Sequence, residues 1–318
     1  MSRTVALSAQ SDDTPPRAAD RDPAARLRVG VLGLGELGLP VAAAIARAGL
    51  HVLVWDTDAA RGGLASEHGL VVAEPAALLS HAQVVVTLLP DDASLESLVA
   101  SPGGLLAAMA PCAVHLCLGT ISVALAGALA ARHAEAGQHF VASPVFGRPQ
   151  EAWAADLTAV PGAGSGCDET ARAHALAVLA CVAPRIHPVD SPQSACAVKL
   201  AGNLMIASAI ATMTEAFGLA RAHGAPPALV HEVVTGRLFR GPVYEGVGRM
   251  LAAAMSGAPP AAPAFTMQLG LKDLSLASRA AAGACLSMPV ADTVTARFAR
   301  AVELGHAGRD WAELPACL

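Results

Sequence analysis

The chain has 318 residues, of which 15% are charged and 3% aromatic, and its formal net charge is −5. That length can bury a large core and form two domains, and with so few aromatics the core is built from Ala, Leu and Val. No basic stripe and no aromatic–basic interleaving appears, which argues against a nucleic-acid partner, and seven Cys without a C-x-x-C pair fit reduced thiols rather than a disulfide scaffold.

Residues 1–26 hold Asp12, Asp13, Asp20 and Asp22, three prolines and no apolar run. A secretory signal needs an apolar core and a transit peptide avoids acids, so this segment is predicted to be a disordered tail. From Leu27 the text changes. LRVGVLGLG reads as a strand ending in glycines, and ELGLPVAAAIARAG follows as a helix with Pro40 in its first turn. The turn Gly33-Leu34-Gly35-Glu36-Leu37-Gly38 is therefore a G-x-G-x-x-G in its proper strand-to-helix setting. Its first Gly permits the tight turn, the second lets a pyrophosphate approach the backbone, and the third lets helix and strand pack closely.

A second strand, HVLVWD, ends on Asp56, 18 residues past Gly38, with Thr57 next to it. An acid there hydrogen-bonds an adenosine ribose diol; the bland alternative is a turn Asp that caps the next helix. Asp56 favours NAD. Arg61 stands within reach of a 2′-phosphate, which keeps NADP open. GLVVA, a helix near Pro75–His81, and the strand QVVVTLLP continue the alternation that implies a parallel sheet with helices on both faces. Leu89 and Pro90 then fall at a strand's carboxyl end, where open α/β sheets hold ligands.

The strand AVHLCLG leads to Thr120, placed to touch nicotinamide or substrate, and to Ser122, expected to cap the following helix. HFVA enters the loop Ser143–Pro149, where Val145, Phe146, Gly147 and Arg148 stand together. Arg148 reads equally as a clamp for a carboxylate or as half of a surface salt bridge. A helix over Glu169–Cys181 and a short strand near Arg185–Pro188 precede the longest element, a helix from Ser191 to Gly224. Between Asp190 and Glu215 its only charged residue is Lys199, with Asn203 one turn on. An ammonium on an oily helix is used chemically, paired with an unseen acid, or snorkels to water. Beyond Gly224 everything is helical in pattern. Cys112, Cys117, Cys181 and Cys196 sit in apolar runs and are expected to be buried in a cytoplasmic protein. Leu105–Ala131 and Ala195–Leu219 are apolar enough to suggest membrane spans, but their polar residues fit core elements better. No ligand spacing predicts a metal site.

The pieces GLGELG, LLP, GTIS, SPVFGRP, VKLAGN, LKDL and the terminal DWAEL stand in an order similar to that of the β-hydroxyacid dehydrogenases typified by 3-hydroxyisobutyrate dehydrogenase. The resemblance runs from about Leu27 to the C-terminus, and the imine reductases are near relatives. It implies a Rossmann-type doubly wound α/β domain (27–190), an all-α domain (191–318), a long helix between them, and a homodimer whose helical domains interlock. It also implies that Lys199 is the catalytic Lys, Asn203 its substrate-orienting partner, and Thr120 the residue beside nicotinamide and substrate. Leu89, Pro90, Ser94 and Lys272 would lie along the cofactor. Two departures matter: the carboxylate-gripping loop, usually Ser-Gly-Gly, is Phe146-Gly147-Arg148, and Gly119 precedes Thr120 where Ser is common. The loop points to a substrate larger than 3-hydroxyisobutyrate or anchored differently, and at Gly119 one hydroxyl is absent. The activity expected is NAD(P)-dependent dehydrogenation of a small hydroxyacid or reduction of the carbonyl. An imine reductase and a non-catalytic dinucleotide sensor are the alternatives; Lys199, Asn203 and Lys272 favour the first reading.

Overall fold

The computed structural model describes residues 27–260 and 262–317; the predicted tail at 1–26 lies outside them. Five short strands carry the first half: β1 (Arg28–Leu32), β2 (His51–Trp55), β3 (Val71–Val72), β4 (Val84–Thr87) and β5 (Val114–Cys117). They alternate with α1 (Gly38–Arg47), α2 (Ala59–Glu67), α3 (Pro75–His81), α4 (Asp92–Ala100) and α5 (Leu105–Ala108). Next come α6 (Val123–Glu135), β6 (His139–Ala142), β7 (Val145–Phe146), α7 (Pro149–Trp153), β8 (Thr158–Ala159), β9 (Gly162–Ala163), α8 (Glu169–Ala180) and β10 (Arg185–Ile186). One sheet runs β3-β2-β1-β4-β5-β6-β9, parallel throughout except for β9, which pairs antiparallel with β6. Every residue of β4 and β5 is buried, as a strand covered on both faces requires, and both strands are apolar apart from Thr87 and His115. Val41, Ile45 and Val178 fill the layer on one face; Leu79, Leu95 and Leu129 fill the other.

The long helix α9 (Pro192–Ala222) is capped by Ser191, whose side chain accepts from the Ser194 N–H. Its 31 residues extend about 46 Å. Ala195 and Cys196 pack in the sheet-side core, whereas Ile210, Met213 and Phe217 pack in a second core with α11 (Gly248–Met255), α12 (Met267–Gly283) and α13 (Pro289–Ala301). Between α9 and α11 lie α10 (Pro227–Arg237) and a π-helical turn, Pro242–Val247. By length and composition α9 is apolar enough to cross a membrane; here it is the rod shared by two protein cores.

Three expectations change. The segment predicted as a loop at Ser143–Pro149 contains β7, which joins β8 and β10 in a small second sheet. Two residues are too few for period-2 alternation to register, so only tertiary pairing defines this strand. The sheet predicted as parallel ends on an antiparallel edge. Cys117 and Cys196 are buried, but Cys112 is exposed and Cys181 only half-buried. The apolar run around Cys112 straddles a turn in which that residue has φ 62°.

Under β4 and β5 lies a buried polar chain. Thr87 Oγ1, His115 Nε2 and Nδ1, His133 Nε2 and Nδ1, and Gln138 Oε1 follow one another through three contacts of 2.9 Å. The Gln138 amide nitrogen donates to the carbonyls of Leu106 and Met109, so its oxygen must accept from His133. That direction, assigned from the hydrogen-bond pattern, makes both rings neutral with their protons on Nδ1, and Thr87 donates to His115. Burial holds His115 well below the usual 6.5, with His133 lowering it further. Burial likewise brings His133 to about 4, against the raising effect of Gln138 and with a smaller lowering from Arg132. Folded-state values below the unfolded value mean that unfolding takes up protons in acid. The contribution is complete above pH 6.5 and is lost as pH falls toward 4. The expected result is a melting temperature that drops across this window in wild type and drops less in His133→Gln; equal acid slopes would refute the account.

Candidate active site

The carboxyl ends of β1, β2, β4 and β5 open into a cleft of about 1270 Å³ that continues between the sheet and the helices. Gly33 has φ +92°, a conformation costly for any residue with a Cβ, and its N–H donates to Trp55 O at 3.0 Å. Gly38, which opens α1, lies so close to the Gly33 carbonyl that a Cβ would overlap it. This packing aims the start of α1 at the cleft, as phosphate binding requires. At Gly35 an added Cβ would meet only Arg61 Nη1, at 3.8 Å, and would fill space beside the turn. These residues fit a dinucleotide. The Asp56 carboxylate accepts from the Leu34 N–H at 2.6 Å and the Asp58 N–H at 2.9 Å, which fixes it at the rim. Arg61 lies across the turn, Nη1 donating to Leu34 O at 3.0 Å.

Deeper in the cleft, α9 presents Lys199. Its Nζ donates to the Val145 carbonyl at 2.8 Å and stands 4.3 Å from the centroid of the Phe146 ring. Loss of hydration lowers its pKa to about 8; Asp273 opposes the shift and Lys272 adds to it. The side chain is half-buried, with the amine in its sunken part. Asn203, buried one turn along, donates through Nδ2 to Asp273 Oδ2 at 2.5 Å, which leaves its carbonyl oxygen available. Asp273 is 2% exposed on α12 and its other oxygen is 3.0 Å from Lys272 Nζ, although without hydrogen-bond geometry. Lys272 donates instead to the carbonyls of Pro90 and Thr120, each at 2.9 Å. One helix of the all-α part is thereby tied to the loops after β4 and β5.

Gly33, Gly35, Glu36, Leu37, Gly38, Asp56, Thr57, Arg61, Leu89, Pro90, Ser94, Thr120, Val145, Phe146, Gly147, Arg148, Lys199, Asn203 and Lys272 all line this cleft. Leu34 does not. Its side chain is 1% exposed in the core, and its backbone N–H and carbonyl are engaged by Asp56 and Arg61. Sequence reasoning missed Asp273, Phe265 and Trp311, which also line the cleft. Asp273 is 70 positions from Asn203, beyond any helical spacing; its one signal was its place beside Lys272. Among the described residues no group of three His, Cys, Asp or Glu side chains is placed to hold a metal.

Comparison with known proteins accounts for this geometry. Residues 28–190 match the NAD-binding domain of 6-phosphogluconate dehydrogenase, and residues 194–317 match the NAD-binding domain of NADP-dependent 3-hydroxyisobutyrate dehydrogenase. An uncharacterized oxidoreductase of Bacillus subtilis is 31% identical over 92% of this chain and its own full length. The chain belongs to the 3-hydroxyisobutyrate dehydrogenase family. It is an NAD(P)-dependent oxidoreductase with that family's two-domain fold. A 3-hydroxyisobutyrate dehydrogenase of Mycobacterium tuberculosis, solved with L-serine, superposes with a TM-score of 0.78 at 25% identity, covering 92% of this chain and 98% of its own. The reductive aminase of Aspergillus terreus, solved with NADPH and ethyl-5-oxohexanoate, shares the fold more distantly. Its TM-score is 0.58 at 21% identity, covering 91% of this chain and 98% of its own.

Proposed function

We propose that this enzyme transfers hydride between nicotinamide C4 and the carbinol carbon of a small hydroxyacid, or the corresponding carbonyl, with Lys199 as the proton carrier. The observation that carries the reading is the Lys199 amine, sunk beside Asn203 and Asp273 and titrating near 8. The cofactor supplies the hydride acceptor or donor. The chain does the rest. In oxidation the neutral Lys199 amine takes the hydroxyl proton as the C–H electron pair leaves carbon; in reduction the ammonium returns that proton to the developing alkoxide. Asn203, its amide nitrogen held by Asp273, keeps a carbonyl oxygen free one turn from Lys199, an acceptor for a substrate donor other than the reacting hydroxyl. Thr120 borders nicotinamide and substrate, with its carbonyl fixed by Lys272. A panel of hydroxyacids, oxoacids and cyclic imines assayed with both cofactors tests the reading; turnover confined to the imines would overturn it.

Asp56 is expected to make NADH the better cofactor, because a second anion at the ribose rim meets its carboxylate. Arg61 is the residue that would hold a 2′-phosphate. Arg61→Ala should therefore lower kcat/KM for NADPH by tenfold or more while changing that for NADH far less. A strong NADPH preference in the unmodified enzyme would move the decision from Asp56 to Arg61. The reading includes a cytoplasmic homodimer, supported by free thiols among the described cysteines and by exposed Met205, Leu219, Val233 and Val290 on the helical part. Sedimentation at micromolar concentration checks the dimer.

A further inference from the structure

The cleft contains a guanidinium that no acid among the described residues answers. Of its other charged groups, Arg185 pairs with Asp156 at 2.8 Å, Lys272 stands 3.0 Å from Asp273, and Asp310 accepts from the backbone N–H groups of Ala264, Phe265 and Ala312. Arg148, half-buried at the N-terminus of α7, enters no ion pair among the described residues. Its backbone N–H donates to Glu151 Oε2 at 2.5 Å. Among the described residues its guanidinium Nη1 reaches only the thioether of Met250, at 4.0 Å, and sulfur is a weak acceptor. A half-buried guanidinium in such company is poised for an oxyanion, because its planar fork matches a carboxylate and water is partly excluded.

The elements fix where that anion would sit. Phe146 lies under the Lys199 amine and packs so closely on α9 that a Cβ on Gly202 would overlap its ring. Ile206, two turns past Lys199, and Val243 and Val247 of the π-helical turn continue the same apolar wall toward α11, which carries Met250. The amine stands over the Phe146 ring, whereas the Arg148 guanidinium, two residues on, is turned to Met250 of α11. We propose that Arg148 anchors a carboxylate of the substrate several bonds from the reacting carbon, with an apolar segment lying over Phe146 and Ile206 between them. The substrate is then an ω-carboxylated hydroxy or oxo compound rather than a short β-hydroxyacid, whose carboxylate falls beside the reacting carbon. The proposal rests on the preceding reading only in taking Lys199 to mark that carbon.

The test is calorimetric binding of a dicarboxylate ladder (malonate, succinate, glutarate, adipate, suberate) to the NAD+-loaded or NADP+-loaded protein at pH 7, with no turnover involved. Adipate or suberate is expected to bind tenfold or more tightly than malonate. Arg148→Ala should abolish that difference, and Arg148→Lys, a point charge without the fork, should retain part of it. Lys199→Ala should weaken the long members most and so flatten the length preference as well. If Lys199→Ala changes nothing while Arg148→Ala still removes the length preference, the anion site stands and the reading of Lys199 falls. Tightest binding by malonate, unaltered binding in Arg148→Ala, or no dicarboxylate binding at millimolar concentration would overturn the proposal.

Discussion

Lys199→Ala is expected to lower kcat by about 10²–10⁴, the usual contribution of a positioned acid–base group, with NAD(H) affinity close to that of the unmodified enzyme. The separation follows from geometry: Lys199 sits at the Val145–Phe146 end of the cleft, while the glycine turn and Asp56 form the other end. Its titration near 8 fixes the pH dependence. Reduction needs the ammonium and should decline as pH rises through about 8; oxidation needs the free amine and should climb through the same value. Transient-state rates in both directions, with cofactor Kd from fluorescence quenching, check this. An unchanged kcat, or two profiles that move in the same direction, would remove Lys199 from the chemistry.

Asp273 should be the second most sensitive position, and it joins stability to catalysis. It lies between Asn203 and Lys272 and is almost without solvent. Leaving a buried donor without its acceptor costs about 1–3 kcal/mol, and here the buried Asn203 amide loses the Asp273 carboxylate. Asp273→Ala is therefore expected to lower unfolding free energy on that scale and to free the Asn203 amide to rotate. Asp273→Asn keeps the shape and loses the charge. Since Asp273 is what holds the Lys199 pKa up against desolvation, its neutralisation should move the pH–rate midpoint below 8. The loop contacts of Lys272 are to carbonyls and survive the change. Denaturant titration and a pH–rate profile read the two effects separately; a variant with unaltered stability and midpoint would show that Asp273 supports neither.

The sequence by itself determined the strand–glycine–helix turn, the alternating α/β order, the long rod of α9 and the isolation of Lys199. Each is written in local terms: a φ that only Gly adopts readily, a period of apolar residues, a charge with no like neighbour in 24 positions. The tertiary structure decided what surrounds that charge. Asp273 reaches Asn203 across 70 residues, and Lys272 bridges to loops more than 150 residues away. The two-residue β7 exists only because β8 pairs with it, and that pairing turns the Val145 carbonyl and the Phe146 ring toward the amine. Local propensity fixes where an amine can be carried on a helix. Burial and partners, which set how tightly it holds its proton, depend on chain segments that meet only when the sheet and the helices close on each other.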